Sequence, residues 1–246
     1  MTDEIDISLI EQYNSNLELF NKNKSKYYDN WLQFDCTFKN PGKQGMVGLL
    51  EYKEDDNVKF VFKLSQYLNY LVEHEYTIMK GLGELNNFCP HFSKCYGILE
   101  DVKVNPSKRR SKNPLNISED KKLVRKNILL MEYIDKSYKF CNYIQSEKIK
   151  EEVLYSTIKQ VLLATCMAQR QKNFTHYDLH SDNIMMKKCN KNLVFLYVFD
   201  DHNQFLVPSL GYYPIIIDYG FSYIEDMEDD YLWPSFGHTD VGFMSD

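Results

Sequence analysis

A run of polar residues between two apolar flanks, FTHYDLHSDNIMM at 174–186, constrains this chain more than any other stretch. Within eight residues it holds His176, Asp178, His180, Asp182 and Asn183. On a strand the two histidines and two aspartates would share one face, as in a structural metal site, although the sequence does not identify the second-shell partners that such a site needs. A solvated polar loop and a catalytic loop are the other two interpretations.

An apolar strand that ends in an aspartate follows downstream, in PIIIDYG at 214–220. A carboxylate at the tip of a buried strand is costly unless a cation pairs with it. Mg²⁺ suits this position, because it is commonly held by one or two protein oxygens together with substrate phosphates. Asp218 and the side-chain oxygen of Asn183 are therefore candidate ligands for Mg²⁺.

The composition restricts the classes of protein to which the chain can belong. Its 246 residues, 43% of them apolar, are enough to bury a core in one domain or two lobes. The net charge of −6 gives no reason to expect binding to nucleic acid. The six cysteines form no Cys-x-x-Cys pair, which favours free thiols in a reducing cytoplasm or nucleus. No apolar run approaches the roughly 18 residues of a membrane span, and the first residues lack a basic targeting segment, so we expect no membrane association.

The order of the hydrophobic patterns indicates an α+β chain with two lobes. A helical pattern before residue 30 precedes short β-like runs that continue to about Leu64. The most strongly amphipathic helix covers about 149–166 and leads directly into the polar run. The other expected elements are a helix near 66–82, strands at 94–99 and 126–134, and two strands joined by a turn at 201–203.

Two charged segments have two interpretations each. Residues 103–125 carry two prolines and many lysines and arginines, which predicts an exposed insertion that is either a solvated loop or a docking site for an acidic partner. The acidic stretch EDMEDD at 225–230 is either a solvated loop or one wall of a pocket for a cationic small-molecule substrate.

The two polar motifs resemble those of the protein kinase family. HYDLHSDN stands where that family has H-R-D-L-x-x-x-N, and DYG stands where it has D-F-G. Upstream and in the same order, VFK at 61–63 resembles V-A-I-K, and NPGKQGMV at 40–47 resembles the glycine-rich loop with Asn40 in place of the first glycine. NILLMEYI at 127–134 resembles the strand that leads into the hinge. The D-L-H sequence resembles haspin-type kinases and the aminoglycoside and choline phosphotransferases, and IIIDYGFS resembles haspin-type kinases. The long insertion between the two polar motifs resembles kinase-like proteins of large DNA viruses.

The resemblance implies a bilobal protein kinase-like fold. An N-terminal helical extension at 1–30 would precede a β-rich N-lobe with one main helix at 31–134, which carries the basic insertion. A mainly helical C-lobe at 135–246 would contain the catalytic loop 176–183, a β-ribbon insertion at about 190–213 and DYG at 218–220. This lobe looks truncated, because 28 residues follow Asp218 and they contain no A-P-E. The chain is therefore expected to be either the front part of a longer protein or a minimal kinase.

The resemblance also implies catalytic and metal-binding roles in phosphoryl transfer from ATP with Mg²⁺. Asp178 would be the catalytic base, and Asn183 and Asp218 would hold the metal. His180 takes the place of a lysine near the γ-phosphate and would act with a stronger dependence on pH. His176 would be a structural residue beside DYG.

The nucleotide contacts implied by the resemblance come from the N-lobe and the hinge. Lys63 would draw the phosphates into line, held by Glu75 or, alternatively, by Glu73. Met131 would be the gatekeeper. The full set of expected nucleotide-binding residues is Gly42, Gly45, Val47, Val61, Lys63, Glu75 and Met131, with the backbone groups of Glu132 and Ile134.

The expected function is transfer of phosphate to a serine or threonine hydroxyl of a protein substrate. Tyr177 replaces the arginine that pairs with a phosphorylated activation loop in regulated kinases, which predicts that no such phosphate is needed. Two alternatives remain, a catalytically inactive pseudokinase that serves as a binding scaffold and a small-molecule kinase. A viral origin would place the protein in the host-cell cytoplasm or the virion.

Overall fold

The computed structural model describes residues 7–38, 45–65, 68–105, 113–116 and 123–227. Their contacts divide the chain into two compact units. The N-terminal unit consists of Ser8–Tyr76 and Lys94–Tyr133, and the C-terminal unit contains Thr77–Ser93 and the residues from Ile134 onward. The boundary between Tyr76 and Thr77 lies within helix α2 (Tyr70–Gly83).

The N-terminal unit is built on a five-stranded antiparallel sheet. In chain order the strands are β1 (Leu32–Thr37), β2 (Gly45–Tyr52), β3 (Asp55–Ser65), β4 (Cys95–Val104) and β5 (Val124–Glu132), and their order in the sheet is β1-β2-β3-β5-β4. Strand β3 shows why the pattern predicted a strand. Phe60, Phe62 and Leu64 are completely buried, whereas Val61 and Lys63 lie on the other face and are partly exposed.

Helix α1 (Ile7–Asn23) supplies part of the core of this unit. Phe20 is buried with Tyr28 and Trp31, and the ring of Trp31 lies edge-on to that of Phe60 at 5.9 Å between centroids. The residues before the sheet are therefore part of the folded core.

The middle of the basic insertion is anchored to the same core. Leu115 is buried, and its carbonyl oxygen accepts a hydrogen bond from the Tyr28 hydroxyl at 3.2 Å. The Asn105 amide donates to the Pro114 carbonyl at 2.7 Å. The prediction of an exposed insertion is therefore wrong for residues 113–115, because the apolar side chain of Leu115 is buried in the core, whereas Asn116 is exposed. Residues 106–112 and 117–122 lie outside the described part of the chain.

The C-terminal unit mixes helices and strands. It contains α3 (Phe140–Ile144) and α4 (Glu151–Lys172), and a three-stranded sheet in the order β10-β7-β6. The strands of that sheet are β6 (Ser137–Lys139), β7 (Ile184–Lys188) and β10 (Tyr212–Ile216). The α+β class is confirmed, but the expectation of a mainly helical second lobe is not met in residues 134–227. After α4 the described chain forms four strands and no further α-helix.

A separate hairpin, β8 (Val194–Val198) with β9 (Gln204–Pro208), lies between β7 and β10 in the sequence. The side chains on its inner face are buried in a cluster with β10, namely Phe195, Tyr197 and Val207 against Tyr213 and Ile215. The predicted pair of strands in this insertion is confirmed. The turn is fixed by Asp200, whose carboxylate accepts hydrogen bonds from the amides of His202 and Asn203.

None of the helices in the described ranges is long and apolar enough to cross a membrane. The six cysteines, all within those ranges, are free thiols.

Candidate functional site

A buried ion pair joins β3 to α2 in the N-terminal unit. Lys63 Nζ lies 2.6 Å from Glu75 Oε2, with side-chain exposures of 15% and 3%. Glu73 points elsewhere and accepts a hydrogen bond from Asn127 Nδ2 at 2.7 Å. Of the two carboxylates weighed as partners for Lys63, the structure therefore brings Glu75 to it. Since a buried carboxylate is tolerated only with such a partner, the pair fixes the position of the ammonium group.

The start of β2 lies very close to β3. A Cβ atom at Gly45 would overlap the carbonyl oxygen of Leu64, so only glycine allows this approach of the two backbones. Val47 is the β2 partner of Lys63, and Val61 is paired with Met131 on β5. Asn40 and Gly42, the other expected members of the glycine-rich loop, lie outside the described residues.

Backbone groups at the end of β5 already have partners within the chain. The Glu132 amide donates to the Lys94 carbonyl at 3.0 Å, and Glu132 Oε1 accepts from the Lys94 amide at 2.8 Å. The Ile134 carbonyl, in the C-terminal unit, accepts from Ser137 Oγ at 2.6 Å. The expected adenine contacts thus stay predictions, and the Glu132 amide is already used by the sheet.

In the C-terminal unit, His176 holds the polar run against the strand end that carries DYG. Its Nε2 lies 3.2 Å from the Ile217 carbonyl, which can only accept, so Nε2 carries the proton. Its Nδ1 accepts from the Asp178 amide at 3.3 Å. Burial lowers the pKa of His176, in keeping with this neutral tautomer. The imidazole therefore connects the two motifs as a structural element.

Asn183 connects the same two motifs from the other side. Its buried Nδ2 donates to the Asp178 carbonyl at 3.0 Å and lies 3.4 Å from Asp178 Oδ2. Its backbone carbonyl accepts from the Ile217 amide at 3.0 Å. Strands β7 and β10 pair with Ile184 opposite Ile216. Asn183, directly before β7, and Asp218, two residues after β10, therefore lie at the same end of the ribbon. Because Nδ2 can only donate, the side-chain oxygen of Asn183 is the atom whose lone pairs could coordinate a hard cation.

His180 lies beside Asp178 and shapes the loop. Its Nδ1 accepts from the Asp182 amide at 3.2 Å, which caps the short 3₁₀ turn Ser181–Asn183. Its Nε2 lies 3.7 Å from Asp178 Oδ1, and the ring is about half exposed. The second histidine of the run therefore adjoins the expected base while it also holds the turn.

Asp218 is exposed and has a left-handed backbone with φ of 65°, and the tyrosine after it is completely buried. The Tyr219 hydroxyl donates to the Ile216 carbonyl at 2.6 Å and accepts from the Ser93 amide at 3.1 Å. Its ring lies 5.6 Å from that of His176. These hydroxyl contacts, which no sequence pattern indicates, tie the backbone on both sides of Asp218 to the core.

The alternating residues of the polar run do not form a strand, so the interpretation as a structural metal site is wrong. Asp182 Oδ1 lies 3.4 Å from Lys139 Nζ and 3.0 Å from Cys141 Sγ, so this carboxylate is directed away from Asp178. Within the described ranges, no group of three or more His, Cys, Asp or Glu side chains could hold a metal ion. A cation held by Asn183 and Asp218 together with substrate phosphates does not require such a group.

The structure thus brings the predicted site residues together in two sets. One set, Lys63 with Glu75 and flanked in the sheet by Val47 and Val61, belongs to the N-terminal unit. The other set, in the C-terminal unit, consists of Asp178, His180 and Asn183 in mutual contact, with Asp218 at the adjoining strand end.

Comparison with known proteins finds relatives in invertebrate iridescent viruses, and no family model matches the chain. The chain is 30% identical over 244 residues to uncharacterized protein 038R of Invertebrate iridescent virus 3, an alignment that covers 86% of this chain and 44% of the relative. It is 31% identical over 221 residues to uncharacterized protein 098R of Invertebrate iridescent virus 6, covering 75% and 36%. It is 24% identical over 200 residues to probable kinase 098L of Invertebrate iridescent virus 3, covering 81% and 33%. The chain therefore spans less than half the length of each of these curated relatives, and its expected similarity to viral proteins is confirmed.

Proposed function

We propose that this chain is an ATP- and Mg²⁺-dependent phosphotransferase whose acceptor is a serine or threonine hydroxyl of a protein. The observation that carries the proposal is the network around Asn183, which links Asp178 to the strand end bearing Asp218. Asp178, Asn183 and Asp218, three oxygen-bearing side chains that follow the order of the kinase motifs, thus belong to one connected structure. The similarity to a viral protein named probable kinase supports the same class of reaction.

The donor set fits a hard cation and its nucleotide. Asn183 and Asp218 offer amide and carboxylate oxygens, the ligands that Mg²⁺ prefers. When bound, Mg²⁺ would neutralise charge on the phosphates during transfer. Asn183 would be oriented for this role by its own Nδ2, which is held by Asp178.

Asp178 would accept the proton of the attacking hydroxyl. Its carboxylate is about one-third exposed, so a substrate hydroxyl can approach it, and its backbone is held on both sides by His176 and Asn183. A base positioned by its backbone does not need to reorganise during the reaction. His180, next to Asp178 Oδ1, would orient the carboxylate or contact a phosphate oxygen.

Lys63 would bind phosphate oxygens of the same ATP. Its ammonium is held by Glu75 and remains partly exposed, which leaves donors for a ligand. Lys63→Met should therefore weaken ATP binding, whereas Asp178→Asn, which removes the proposed base, should leave ATP binding nearly unchanged; calorimetry measures both.

The acceptor class is the part of the proposal to test first. The chain is incubated with γ-labelled ATP and Mg²⁺ in parallel reactions, with mixed protein substrates in one and with choline or an aminoglycoside in the other. Label on phosphoserine or phosphothreonine, lost on omission of Mg²⁺, is the expected result. Label on the small molecule would contradict the proposed acceptor. ATP-dependent thermal stabilisation without transfer to either would contradict catalysis and support a nucleotide-binding scaffold.

A further inference from the structure

The inner face of the inserted hairpin carries a buried hydroxyl. Tyr197 of β8 is 3% exposed, and its neighbour on the same face, Phe195, is also buried, so an apolar ring can fill this kind of space. The Tyr197 hydroxyl lies 2.7 Å from Nε2 of His91, which is 106 positions earlier in the chain and outside the hairpin. Because a buried tyrosine hydroxyl needs a hydrogen-bond partner, this contact fixes the hairpin to one particular residue.

His91 contacts strand β10 through its other ring nitrogen. Its Nδ1 lies 2.8 Å from the Pro214 carbonyl, which can only accept, so Nδ1 carries a proton. Burial lowers the pKa of His91 to about 4 and raises that of Tyr197, so near neutral pH the imidazole is neutral and the phenol keeps its proton. Nε2 is therefore the acceptor and the Tyr197 hydroxyl is the donor. The completely buried ring is held between β8 and β10 by both of its nitrogens.

The backbone around His91 pairs with the end of β10. The Ile216 amide donates to the His91 carbonyl at 2.7 Å, and the Ser93 amide donates to the Ile216 carbonyl at 3.0 Å. The next amide along the chain, that of Ile217, donates to the Asn183 carbonyl at 3.0 Å on the side of β7. Two consecutive residues are thus held from opposite sides of the strand, directly before DYG.

We propose that Tyr197 is a positioning residue for Asp218, acting through His91 and the end of β10. The inference rests on the proposed function, in which Asp218 holds Mg²⁺, and every residue in it belongs to the C-terminal unit. Groups that orient a metal ligand contribute to metal affinity, because the ligand must lie within about 0.5 Å of its productive position. Without the hydroxyl, Nε2 loses its donor, and a buried acceptor without a partner favours rotation of the ring away from Pro214.

A hairpin that only stabilises the fold would behave differently. Substitutions in it would lower the folded fraction, and with it the amount of active protein, at every concentration of Mg²⁺. A hairpin that positions Asp218 instead changes the concentration of Mg²⁺ that the folded protein requires. The two roles are therefore separated by a Mg²⁺ titration and not by the rate alone.

Tyr197→Phe removes the hydroxyl and keeps the ring. Mg²⁺ is titrated at a fixed concentration of ATP and followed in two ways, by transfer from γ-labelled ATP and by thermal stabilisation with ATP, which needs no catalysis. We expect the half-maximal Mg²⁺ concentration to rise roughly 3- to 10-fold in both, with the KM for ATP at saturating Mg²⁺ nearly unchanged. The matched control is Val207→Ala, buried in the same cluster, which should lower the melting temperature but leave the half-maximal Mg²⁺ concentration as in the parent.

His91→Asn breaks the same link from the other end, and it provides the test if Tyr197→Phe does not fold. The shorter amide can still donate to the Pro214 carbonyl but does not reach the Tyr197 hydroxyl. We expect the half-maximal Mg²⁺ concentration to rise as in Tyr197→Phe. The double variant should show no larger rise than either single variant, because all three have lost one and the same link.

The outcomes separate this inference from the proposed function. An unchanged Mg²⁺ requirement in Tyr197→Phe and His91→Asn, beside a parent that responds to Mg²⁺, would overturn the inference and leave the proposed function in place. An equal rise in Val207→Ala would also overturn it, since general loosening would then be the cause. A rise seen by thermal stabilisation in a chain that transfers no phosphate would support the positioning and contradict catalysis. A parent whose stabilisation by ATP does not depend on Mg²⁺ would overturn both.

Discussion

The pH dependence of stability should report on His91, a completely buried histidine in the C-terminal unit. Its Nδ1 donates to the Pro214 carbonyl at 2.8 Å, and its Nε2 lies 2.7 Å from the hydroxyl of Tyr197 on the inserted hairpin. Burial lowers the pKa of His91 from 6.5 to about 4. The imidazole therefore stays neutral in the folded protein at pH values at which the unfolded chain would protonate it.

The sign and size of the effect follow from this difference in pKa. Between pH 6.5 and pH 4 the unfolded chain binds a proton at His91 and the folded chain does not, so the free energy of unfolding falls as the pH falls. The stabilisation is fully present above pH 6.5. At about 1.36 kcal/mol for each unit of pKa, the loss by pH 4.5 is about 2–3 kcal/mol.

The assay is urea unfolding followed by circular dichroism at pH 7 and pH 4.5, with His91→Gln beside the parent. The glutamine amide can both donate and accept but does not titrate, so the variant should lose about 2–3 kcal/mol less than the parent between the two pH values. His202→Gln is the matched control, because His202 is exposed in the hairpin turn, and it should behave as the parent does. An equal pH dependence of the parent and His91→Gln would show that His91 does not cause the loss of stability at low pH.

Three further substitutions test individual contacts. Glu75→Gln removes the charge partner of Lys63, so stability should fall by on the order of 2 kcal/mol and the KM for ATP should rise, as measured by thermal unfolding and steady-state kinetics. Gly45→Ala should lower stability by about 1–3 kcal/mol because its Cβ would overlap the neighbouring strand, whereas Gly83→Ala, which meets no atom within 4 Å, should not destabilise the chain. Tyr219→Phe removes two buried hydrogen bonds beside Asp218, so the Mg²⁺ concentration needed for half-maximal transfer should rise, and an unchanged value would show that the hydroxyl does not position Asp218.

The local elements could be predicted because their periodicity is visible over short stretches. The alternation around Lys63 predicted β3, and the spacing of apolar residues at 149–166 predicted α4, although the helix continues to Lys172. Its end is set by Asn173, which adopts the left-handed conformation that terminates helices. The choice between Glu73 and Glu75 needed the structure, because both lie on one helix and only their directions distinguish them.

The contacts that sequence patterns do not predict join residues far apart in the chain. Leu115 lies in a charged insertion, and its burial depends on contact with Tyr28, 87 positions away. The Tyr219 hydroxyl meets the Ser93 amide across 126 positions. Asp182 was grouped with its neighbours by alternation, but a loop does not keep the side-chain direction of a strand. No local pattern contains this information.

The loop that carries Asp178 also provides a matched control for its proposed role as the base of a phosphoryl transfer. Asp182 lies four positions later, and its carboxylate is directed at Lys139 and Cys141. The measurement is the rate of transfer from γ-labelled ATP in the parent, Asp178→Asn and Asp182→Asn, with ATP binding followed separately by calorimetry. Asp178→Asn should lower the rate by about 10²–10⁴-fold with ATP binding retained, while Asp182→Asn should remain close to the parent. Transfer by Asp178→Asn at the parental rate would show that Asp178 is not the base.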